Sequence, residues 1–465
     1  MRVVFVAAEA APFAKAGGLG DVIGSLPKAL SQLGIDVTVF IPRYRGVPSS
    51  LPKLGTLRIN GGNEIKEVSI LQGFLPRSRV PVHFVDFPPY YERAGIYGEG
   101  DRDYPDNLTR FAFLCQVAAV ASAEFGRLPE IFHVHDWHTA LLPLYLRYYG
   151  LEAKTVLTIH NLAFQGWFPR EAWASLGLSE DLLALAGQGE WRCALRAGIV
   201  SAEALTTVSP TYAQEILSDG LGLDEVLRAR AADLVGILNG IDTEEWDPEK
   251  DEHLWAPYSH HDLRGKALNR RKLCAELGLR GDGPILGMVG RLTEQKGLDL
   301  LVAGLDRVMA LGVNLVILGT GEARYGEFLR QAEKRWPQRL RALLEFSETW
   351  AHRVIAGADF LLMPSRFEPC GLTQLYALRY GAIPIVRAVG GLRDTVADIE
   401  DGGNGLVFED YTAEAMIETI ARAVRLWHEA REKVLAIRRR GMQGDYSWKT
   451  TAQKYLAVYE RVLSR

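Results

Sequence analysis

The feature that most constrains this chain is an apolar strand pattern that runs directly into a polar loop and then a helix. Phe360–Met363 is a short, wholly apolar run, which predicts a buried strand. Residues 374–380 have a helical pattern that stops at Gly381, a common helix terminator. The loop at 364–373 joins the two, and we expect the helix to begin at Gly371-Leu372-Thr373. Such a unit is typical of α/β proteins with parallel sheets.

The sequence of this loop, PSRFEPCGLT, contains groups that suit a phosphorylated sugar. Free backbone N–H groups at a helix start attract anions such as phosphate. Gly371 lets a ligand approach the backbone closely, and Glu368 offers an acceptor to sugar hydroxyls. The alternative is an ordinary loop whose carboxylate caps the helix. The loop alone does not decide between them.

Length and composition set the broad class. A chain of 465 residues is too long for one core, so we expect two or three domains. Its net charge of −4 gives no sign of a nucleic-acid partner. The four cysteines form no C-x-x-C pair, which argues against zinc and disulfides and favours a reducing compartment. No apolar run is long enough to span a membrane. A cytoplasmic location is therefore expected.

The N-terminal residues predict a βαβ opening. Residues 3–8 and Asp36–Pro42 read as strands, and Asp21 or Gly20 is expected to cap the helix between them. A glycine-rich loop that begins at Lys15 lies at the carboxyl end of the first strand, where open α/β sheets bind ligands. It lacks the G-x-G-x-x-G spacing of a dinucleotide site. An ammonium group beside exposed N–H groups suits phosphate instead.

Two further strands end in polar residues. Residues 131–138 read as a strand that ends in the polar residues Asp136 and His138, and residues 154–161 read as an apolar strand that ends in His160 and Asn161. Because parallel strands present their carboxyl ends at one sheet edge, we expect these side chains to lie together. His133 and His135 share one strand face, but no cysteine or glutamate cluster accompanies them, so a zinc site is not favoured.

A second α/β series follows an aperiodic segment at 243–266, which we interpret as the crossing between two domains. Its strands include Ile285–Val289, Asn314–Leu318, 341–346 and Phe360–Met363. Arg291 and Lys296 flank a glycine-bearing loop after the first of these strands. Two cations there favour a phosphate pair, and solvated surface charge is the alternative. The series ends in an amphipathic helix at 447–465.

Six motifs together resemble bacterial glycogen synthase and plant starch synthase. They occur in that family's order and cover nearly the whole chain. They are K-x-G-G-L-G-D at 15–21, HDWH at 135–138, TIHN at 158–161, NGID at 239–242, G-R-L-x-x-Q-K-G at 290–297 and SRFEPCGLT at 365–373.

The resemblance implies a fold and an activity. The fold is α/β, with two Rossmann-like domains that face a deep cleft (the GT-B type). Residues 1–242 would form an acceptor-side domain on which the helix at 447–465 packs back, and 243–446 a nucleotide-sugar domain. The activity is transfer of glucose from ADP-glucose to the non-reducing 4-hydroxyl of an α-1,4-glucan, such as glycogen or a malto-oligosaccharide, with retention of configuration and release of ADP.

The resemblance also implies residue roles. Arg291 and Lys296 would stabilise the departing diphosphate, because their attraction to it strengthens in the transition state. The implied catalytic residues are Asp136, His160, Arg291, Lys296 and Glu368. The implied donor-binding residues are Lys15, Gly18, Asp21, Asn239, Cys370, Gly371, Leu372 and Thr373. The implied acceptor-binding residues are Glu9, His138, Asn161 and Gln295.

A retaining hydrolase needs a carboxylate nucleophile, and the family pattern supplies none that is well placed. We therefore predict front-face substitution, with no cofactor and no metal. Three alternatives stay open: use of UDP-glucose, a nucleotide-dependent epimerase or oxidoreductase, and an inactive glucan-binding scaffold. The missing dinucleotide fingerprint argues against the second, and the intact set of charged residues against the third.

Overall fold

The computed structural model describes residues 1–60, 64–100, 102–126 and 128–465. Residues 61–63, 101 and 127 lie outside this description. The chain divides into two compact units. Unit 1 contains Met1–Gly240 together with Trp448–Arg465, and unit 2 contains Ile241–Ser447.

Unit 1 is built on a mostly parallel sheet. In the part of the chain that the structure describes, the sheet has nine strands in the order β13-β12-β9-β8-β1-β2-β5-β4-β3, and the pairs β6-β7 and β10-β11 form separate two-stranded antiparallel sheets. The strands of unit 1 are β1 Arg2–Val6, β2 Asp36–Pro42, β3 Lys53–Asn60, β4 Ile65–Phe74, β5 Pro81–Asp86, β6 Gly98–Glu99, β7 Arg102–Asp103, β8 Ile131–His135, β9 Lys154–Ile159, β10 Trp167–Pro169, β11 Trp191–Cys193, β12 Ala204–Thr207 and β13 Leu234–Gly236.

Helices cover the faces of this sheet, as parallel strands buried on both sides require. The apolar side chains of β1, β2 and α1 form one continuous core. The helices of this part of the chain are α1 Gly18–Gln32, α2 Pro88–Tyr91, α3 Asn107–Glu124, α4 Asp136–Thr139, α5 Leu142–Tyr149, α6 Glu180–Leu183, α7 Ala194–Ser201, α8 Pro210–Ser218 and α9 Asp224–Ala229.

Unit 2, all of whose residues are described, is a six-stranded parallel sheet in the order β16-β15-β14-β17-β18-β19. Its strands are β14 Ile285–Val289, β15 Asn314–Leu318, β16 Leu340–Leu343, β17 Phe360–Met363, β18 Ile383–Arg387 and β19 Leu406–Phe408. Its helices are α10 Arg264–Leu277, α11 Leu298–Ala310, α12 Ala323–Arg335, α13 Glu348–Gly357, α14 Thr373–Arg379, α15 Gly390–Thr395, α16 Ala413–Glu429 and α17 Arg431–Met442.

The strand orders locate the ligand edge of each sheet. In unit 2 the chain builds outward from β14 in one direction and then restarts at β17 beside it. In unit 1 the same reversal falls between β1 and β8. Open α/β sheets bind ligands at such switch points, outside the carboxyl ends of the strands. The loops after β1, β8, β14 and β17 contain most of the predicted site residues.

The last helix, α18 Trp448–Leu463, belongs to unit 1. Its buried face includes Tyr455 and Tyr459, which join the core that α1 and β1 form. The Tyr459 hydroxyl is 2.8 Å from Nδ1 of His133 on β8, 326 residues away in sequence.

Several predicted boundaries were wrong. Neither Gly20 nor Asp21 caps α1, because the helix begins at Gly18 and Asp21 lies in its first turn. The strand expected at 341–346 is Leu340–Leu343, since its pairing with β15 ends at Leu343. The antiparallel hairpin of β3 and β4 was not predicted. No helix in the described residues is both long and apolar enough to cross a bilayer.

Candidate active site

The glycine loop after β1 is held by Glu9. This carboxylate is 3% exposed and accepts the backbone N–H groups of Ala16 at 2.7 Å and Gly17 at 3.0 Å. The Tyr97 hydroxyl donates to its other oxygen. Glu9 therefore fixes the shape of the loop, and its implied contact with an acceptor stays a prediction.

Lys15 and Asp21 lie together on this loop and the first turn of α1. Lys15 Nζ is 2.6 Å from Asp21 Oδ1, and both side chains keep some exposure. Asp21 is also placed where the helix dipole stabilises a negative charge. Gly18 is the first residue of the helix. The structure thus brings the three predicted donor residues of unit 1's first loop to one place.

Asp136 connects the ends of β8 and β9. Its Oδ1 accepts the backbone N–H of His160 at 2.7 Å and, more weakly, that of Asn161 at 3.4 Å. The backbone of Asp136 has a φ of 53°, an uncommon conformation for a residue with a side chain. Burial raises the pKa of Asp136 to about 7. The carboxyl group is thus a positioning element that holds the His160 loop in place.

His160 belongs to a row of imidazoles. Nδ1 of His135 lies 3.0 Å from Nε2 of His160, and the rings of His133 and His135 are 4.3 Å apart, as their shared strand face predicts. Burial lowers the pKa of His160 to about 3 and holds the pKa of His133 and His135 well below the usual value. These rings are neutral at pH 7, so each has one N–H donor and one acceptor nitrogen.

His138 and Asn161 complete the polar ends of these strands. His138 is buried against the rings of Trp137 at 4.2 Å and Tyr97 at 4.7 Å. Burial lowers its pKa to about 3. Asn161 is half-buried, and its Oδ1 accepts the N–H of Ala163. Both contacts orient the side chains locally, and acceptor binding by either residue stays a prediction.

Lys296 and Glu368 meet across the switch point of unit 2. Lys296 Nζ is 2.6 Å from Glu368 Oε2, which also accepts the Ser365 hydroxyl at 3.0 Å. Glu368 is 5% exposed. The close approach depends on Gly297, because a Cβ added there would lie 2.1 Å from the carbonyl oxygen of Pro364. The loops after β14 and β17 thus form one site.

Arg291 lies on the exposed side of the same loop. Its guanidinium donates to Oε1 of Gln295 at 3.0 Å, and Gln295 donates back to the carbonyl of Phe367 at 3.5 Å. Two predicted cations and two predicted polar residues therefore surround the end of β17. Arg291 differs from Lys296 in that its charge is not neutralised by Glu368.

The turn that follows Glu368 differs from its prediction. Gly371 has a φ of 71°, which is incompatible with a right-handed helix, so α14 begins at Thr373 rather than at Gly371. Leu372 occupies the N-cap, and Cys370 is buried. Cys370 is thus packed within the turn, and its implied contact with the donor stays a prediction.

Sequence reasoning missed Gln374, which organises this turn. Its side chain is fully buried, and Nε2 lies 3.0 Å from the carbonyl oxygen of Cys370 and 2.9 Å from that of Gly371. The signal for it was a polar residue on the buried face of a short helix. Asn239, in contrast, was predicted, and its buried Oδ1 has no hydrogen-bond partner among the described residues.

Comparison with known proteins gives matches to two family models. The model of the starch synthase catalytic domain matches residues 2–229, and that of glycosyl transferases group 1 matches residues 269–439. The glycogen synthase of Anaeromyxobacter sp. (strain Fw109-5) is 47% identical over an alignment of 478 positions that covers 99% of this chain and 99% of that protein. The glycogen synthase of Halorhodospira halophila (strain DSM 244 / SL1) is 44% identical over an alignment of 482 positions that covers 100% of this chain and 99% of that protein.

The chain belongs to the glycogen and starch synthase family. Its structure also resembles the catalytic domain of starch synthase IV from Arabidopsis thaliana, solved with ADP and acarbose, with a TM-score of 0.92 and 33% identity. That match covers 100% of this chain and 99% of the other. The expected family, the GT-B fold class and the class of enzyme, a glycosyltransferase, are confirmed. A sucrose-phosphate synthase from Thermosynechococcus elongatus, 18% identical with a TM-score of 0.62, shares the fold.

Proposed function

We propose that this family member transfers glucose from ADP-glucose to the non-reducing 4-hydroxyl of an α-1,4-glucan, with retention of configuration and release of ADP. The observation that carries the proposal is the cluster of Arg291, Lys296 and Glu368 at the switch point of unit 2. Two cations there suit a diphosphate, and the carboxylate beside them suits a sugar. The starch synthase relative, solved with ADP and acarbose, supports both an adenine nucleotide and an oligosaccharide.

The cations act on the leaving group. As the bond between glucose C1 and the diphosphate oxygen breaks, negative charge grows on ADP, and Arg291 and Lys296 attract it more strongly than in the ground state. Lys296 begins paired with Glu368, so donor binding must share or replace that contact. To reach the diphosphate, Arg291 gives up its hydrogen bond to the Gln295 side chain.

The acceptor enters on the face that the diphosphate leaves. A diphosphate oxygen takes the proton of the acceptor 4-hydroxyl, the hydroxyl oxygen bonds to C1, and ADP departs with that proton. The new bond forms on the same face, which retains configuration without a covalent enzyme intermediate. Asp136 acts through the His160 loop that it holds, so we assign it a positioning role.

Neither a cofactor nor a metal ion takes part in this scheme, because the two side-chain cations supply the positive charge. We also infer a cytoplasmic location. All four cysteines lie in the described ranges, are buried and form no disulfide, as in a reducing compartment.

The test is transfer of labelled glucose from ADP-glucose or UDP-glucose to a malto-oligosaccharide, with EDTA present. Extension from ADP-glucose, with the new linkage cleaved by an α-specific glucanase, would support donor, acceptor, retention and metal independence. Extension from UDP-glucose alone would overturn the donor assignment. A primer that binds but is not extended from either donor would favour a glucan-binding scaffold.

A further inference from the structure

A helix of unit 2 presents two metal-ligating side chains on one face, and neither is among the residues assigned to catalysis. Glu348 and His352 lie four residues apart on α13, so they are neighbours on the helix surface. Two ligands at this spacing on a helix can bind the same ion. Glu348 is exposed at the first turn, and His352 is buried.

A third ligand comes from the turn that opens unit 2. Glu245 lies on this turn and is exposed. One ring nitrogen of His352 and one carboxylate oxygen from each of Glu245 and Glu348 lie within 4.8 Å of one another. Ligand atoms in a tetrahedral zinc site are about 3.4 Å apart, given bonds of about 2.1 Å. The two exposed carboxylates can close that gap by rotating.

His352 is held in the way that metal-binding histidines usually are. Its Nδ1 is 2.6 Å from Oδ2 of Asp251, and both side chains are 1% exposed. The Tyr380 hydroxyl donates to the same oxygen at 2.6 Å. The imidazole stacks on Trp246 at 3.8 Å with an angle of 13° between the planes. A carboxylate on one ring nitrogen fixes the tautomer and directs the other nitrogen to the ion.

The other ring nitrogen of His352, Nε2, is available to bind a metal ion. Nε2 is buried and has no hydrogen-bond partner in the described ranges of the chain. A buried polar atom without a partner is uncommon and calls for an explanation. Because Nδ1 is already bound to Asp251, Nε2 is the atom that His352 can offer to an ion beside the two carboxylates.

We propose that Glu245, Glu348 and His352 bind one first-row divalent metal ion, Zn²⁺ foremost, with Asp251 as the outer partner of the histidine. One imidazole and two carboxylates suit Zn²⁺, whereas Mg²⁺ and Ca²⁺ prefer oxygen ligands alone. Solvent occupies the remaining coordination position, since both glutamates are exposed. The ion stabilises unit 2 by linking the turn at 241–247 to α13.

The metal site is independent of the proposed glucosyl transfer. It shares no residue with the set of Arg291, Lys296 and Glu368, and the transfer scheme needs no ion. A failure of one proposal leaves the other standing, because metal binding is measured without substrate.

The experiment uses the full chain, dialysed against EDTA and then against buffer, and titrates it with ZnCl₂ by calorimetry. We expect saturable binding of one ion per chain. Co²⁺ in its place should give visible d–d bands of an N/O site, and Mg²⁺ should not compete. Glu245→Gln and Glu348→Gln should each weaken Zn²⁺ binding by at least about tenfold, because each removes a charged ligand.

Matched controls keep the test sharp. Glu244→Gln and Glu345→Gln remove the same charge from exposed neighbours and should bind Zn²⁺ like the parent. The parent's melting temperature should rise with Zn²⁺, and that of Glu348→Gln should rise less. The proposal is overturned if no saturable site exists, or if the control variants lose as much affinity as the ligand variants.

Discussion

Arg291 shows at the scale of one residue why exposure helps to identify a leaving-group cation. Among the described residues its guanidinium makes one side-chain hydrogen bond, to Gln295, and it stays exposed. An exposed arginine with so few contacts contributes little to the free energy of unfolding. Its position after β14 is better explained by a ligand than by the fold.

Arg291→Ala should therefore lower kcat by about a hundredfold or more, the scale of losing one group that stabilises transition-state charge. The melting temperature should not change by more than about 1 °C, since no buried contact is lost. The control is Arg324→Ala, which removes an exposed arginine at the start of α12 that pairs with Glu322 and with Glu294. Near-normal kcat in Arg291→Ala would contradict the leaving-group role.

Asp136 gives a pH-dependent prediction. Burial raises its pKa from 3.8 to about 7, so the native state binds the proton more tightly than the unfolded state. The contribution of this group to the free energy of unfolding is therefore greatest at low pH and is lost as the pH rises from about 4 to about 7. At 1.36 kcal/mol per unit, the loss is on the order of 4 kcal/mol.

Asp136→Asn removes this titration and keeps an oxygen for the N–H of His160. Its melting temperature minus that of the parent should rise between pH 4 and pH 7 and level off above. Differential scanning calorimetry across that range measures the difference. An equal difference at both ends would mean that Asp136 ionises as an ordinary aspartate.

At the scale of elements, the approach of two loops determines the site in unit 2. Gly297 and Gly312 both have a φ of 78°, and a Cβ at Gly312 would meet nothing within 4 Å. A Cβ at Gly297 would lie 2.1 Å from Pro364 O. Comparing an alanine substitution at each glycine therefore distinguishes the effect of backbone strain, which both share, from that of a steric clash with the neighbouring loop, which only Gly297 has.

Gly312→Ala should lower stability by about 1–2 kcal/mol through left-handed strain alone and leave kcat unchanged. Gly297→Ala should lower stability further and reduce kcat, because it moves Lys296 away from Glu368. Thermal melts and steady-state kinetics on both variants test this. If the two variants lost the same stability and kept the same kcat, the loops after β14 and β17 could move apart without loss of function.

The elements also show what could be read from the sequence. The buried parallel strands β14, β15 and β17 were predicted with their true ends, because apolar runs between glycines and prolines mark them clearly. The hairpin of β3 and β4 was missed because both strands contain a glycine, Gly55 in the first and Gly73 in the second, and glycine weakens a strand pattern. The start of α14 was predicted too early because the residue type of Gly371 does not reveal that its backbone is left-handed.

The candidate site was likewise predicted only in part. The sequence motifs identified Lys296 and Glu368, and the strand order explains why these two residues are in contact. Gln374 stands out in the sequence only as a polar residue on the buried face of a short helix. Its role could not be predicted, since it depends on hydrogen bonds to two carbonyl groups that only the folded turn brings within reach. Sequence patterns indicate polar residues at sheet edges, and the contacts among those residues require the fold.

At the scale of the whole chain, unit 1 is discontinuous. The strand β8 and the helix α18 pack together although unit 2 lies between them in sequence. The Tyr459 hydroxyl bonds His133, and the Thr451 hydroxyl donates to the carbonyl of Leu238 at 2.9 Å. Unit 1 therefore cannot complete its core until the last residues of the chain are made.

Truncation after Ser447 should accordingly destabilise unit 1 more than unit 2. The deletion uncovers the apolar surface that Tyr455, Tyr459 and Val462 bury, and each such side chain is worth about 1.5–3 kcal/mol. Limited proteolysis should cut first within residues 1–240 and leave a fragment of unit 2. The control is truncation after Leu463, which removes the ion pair of Arg465 with Asp233 but keeps the buried face. Equal protection of both units in the longer deletion would mean that the core of unit 1 stands without α18.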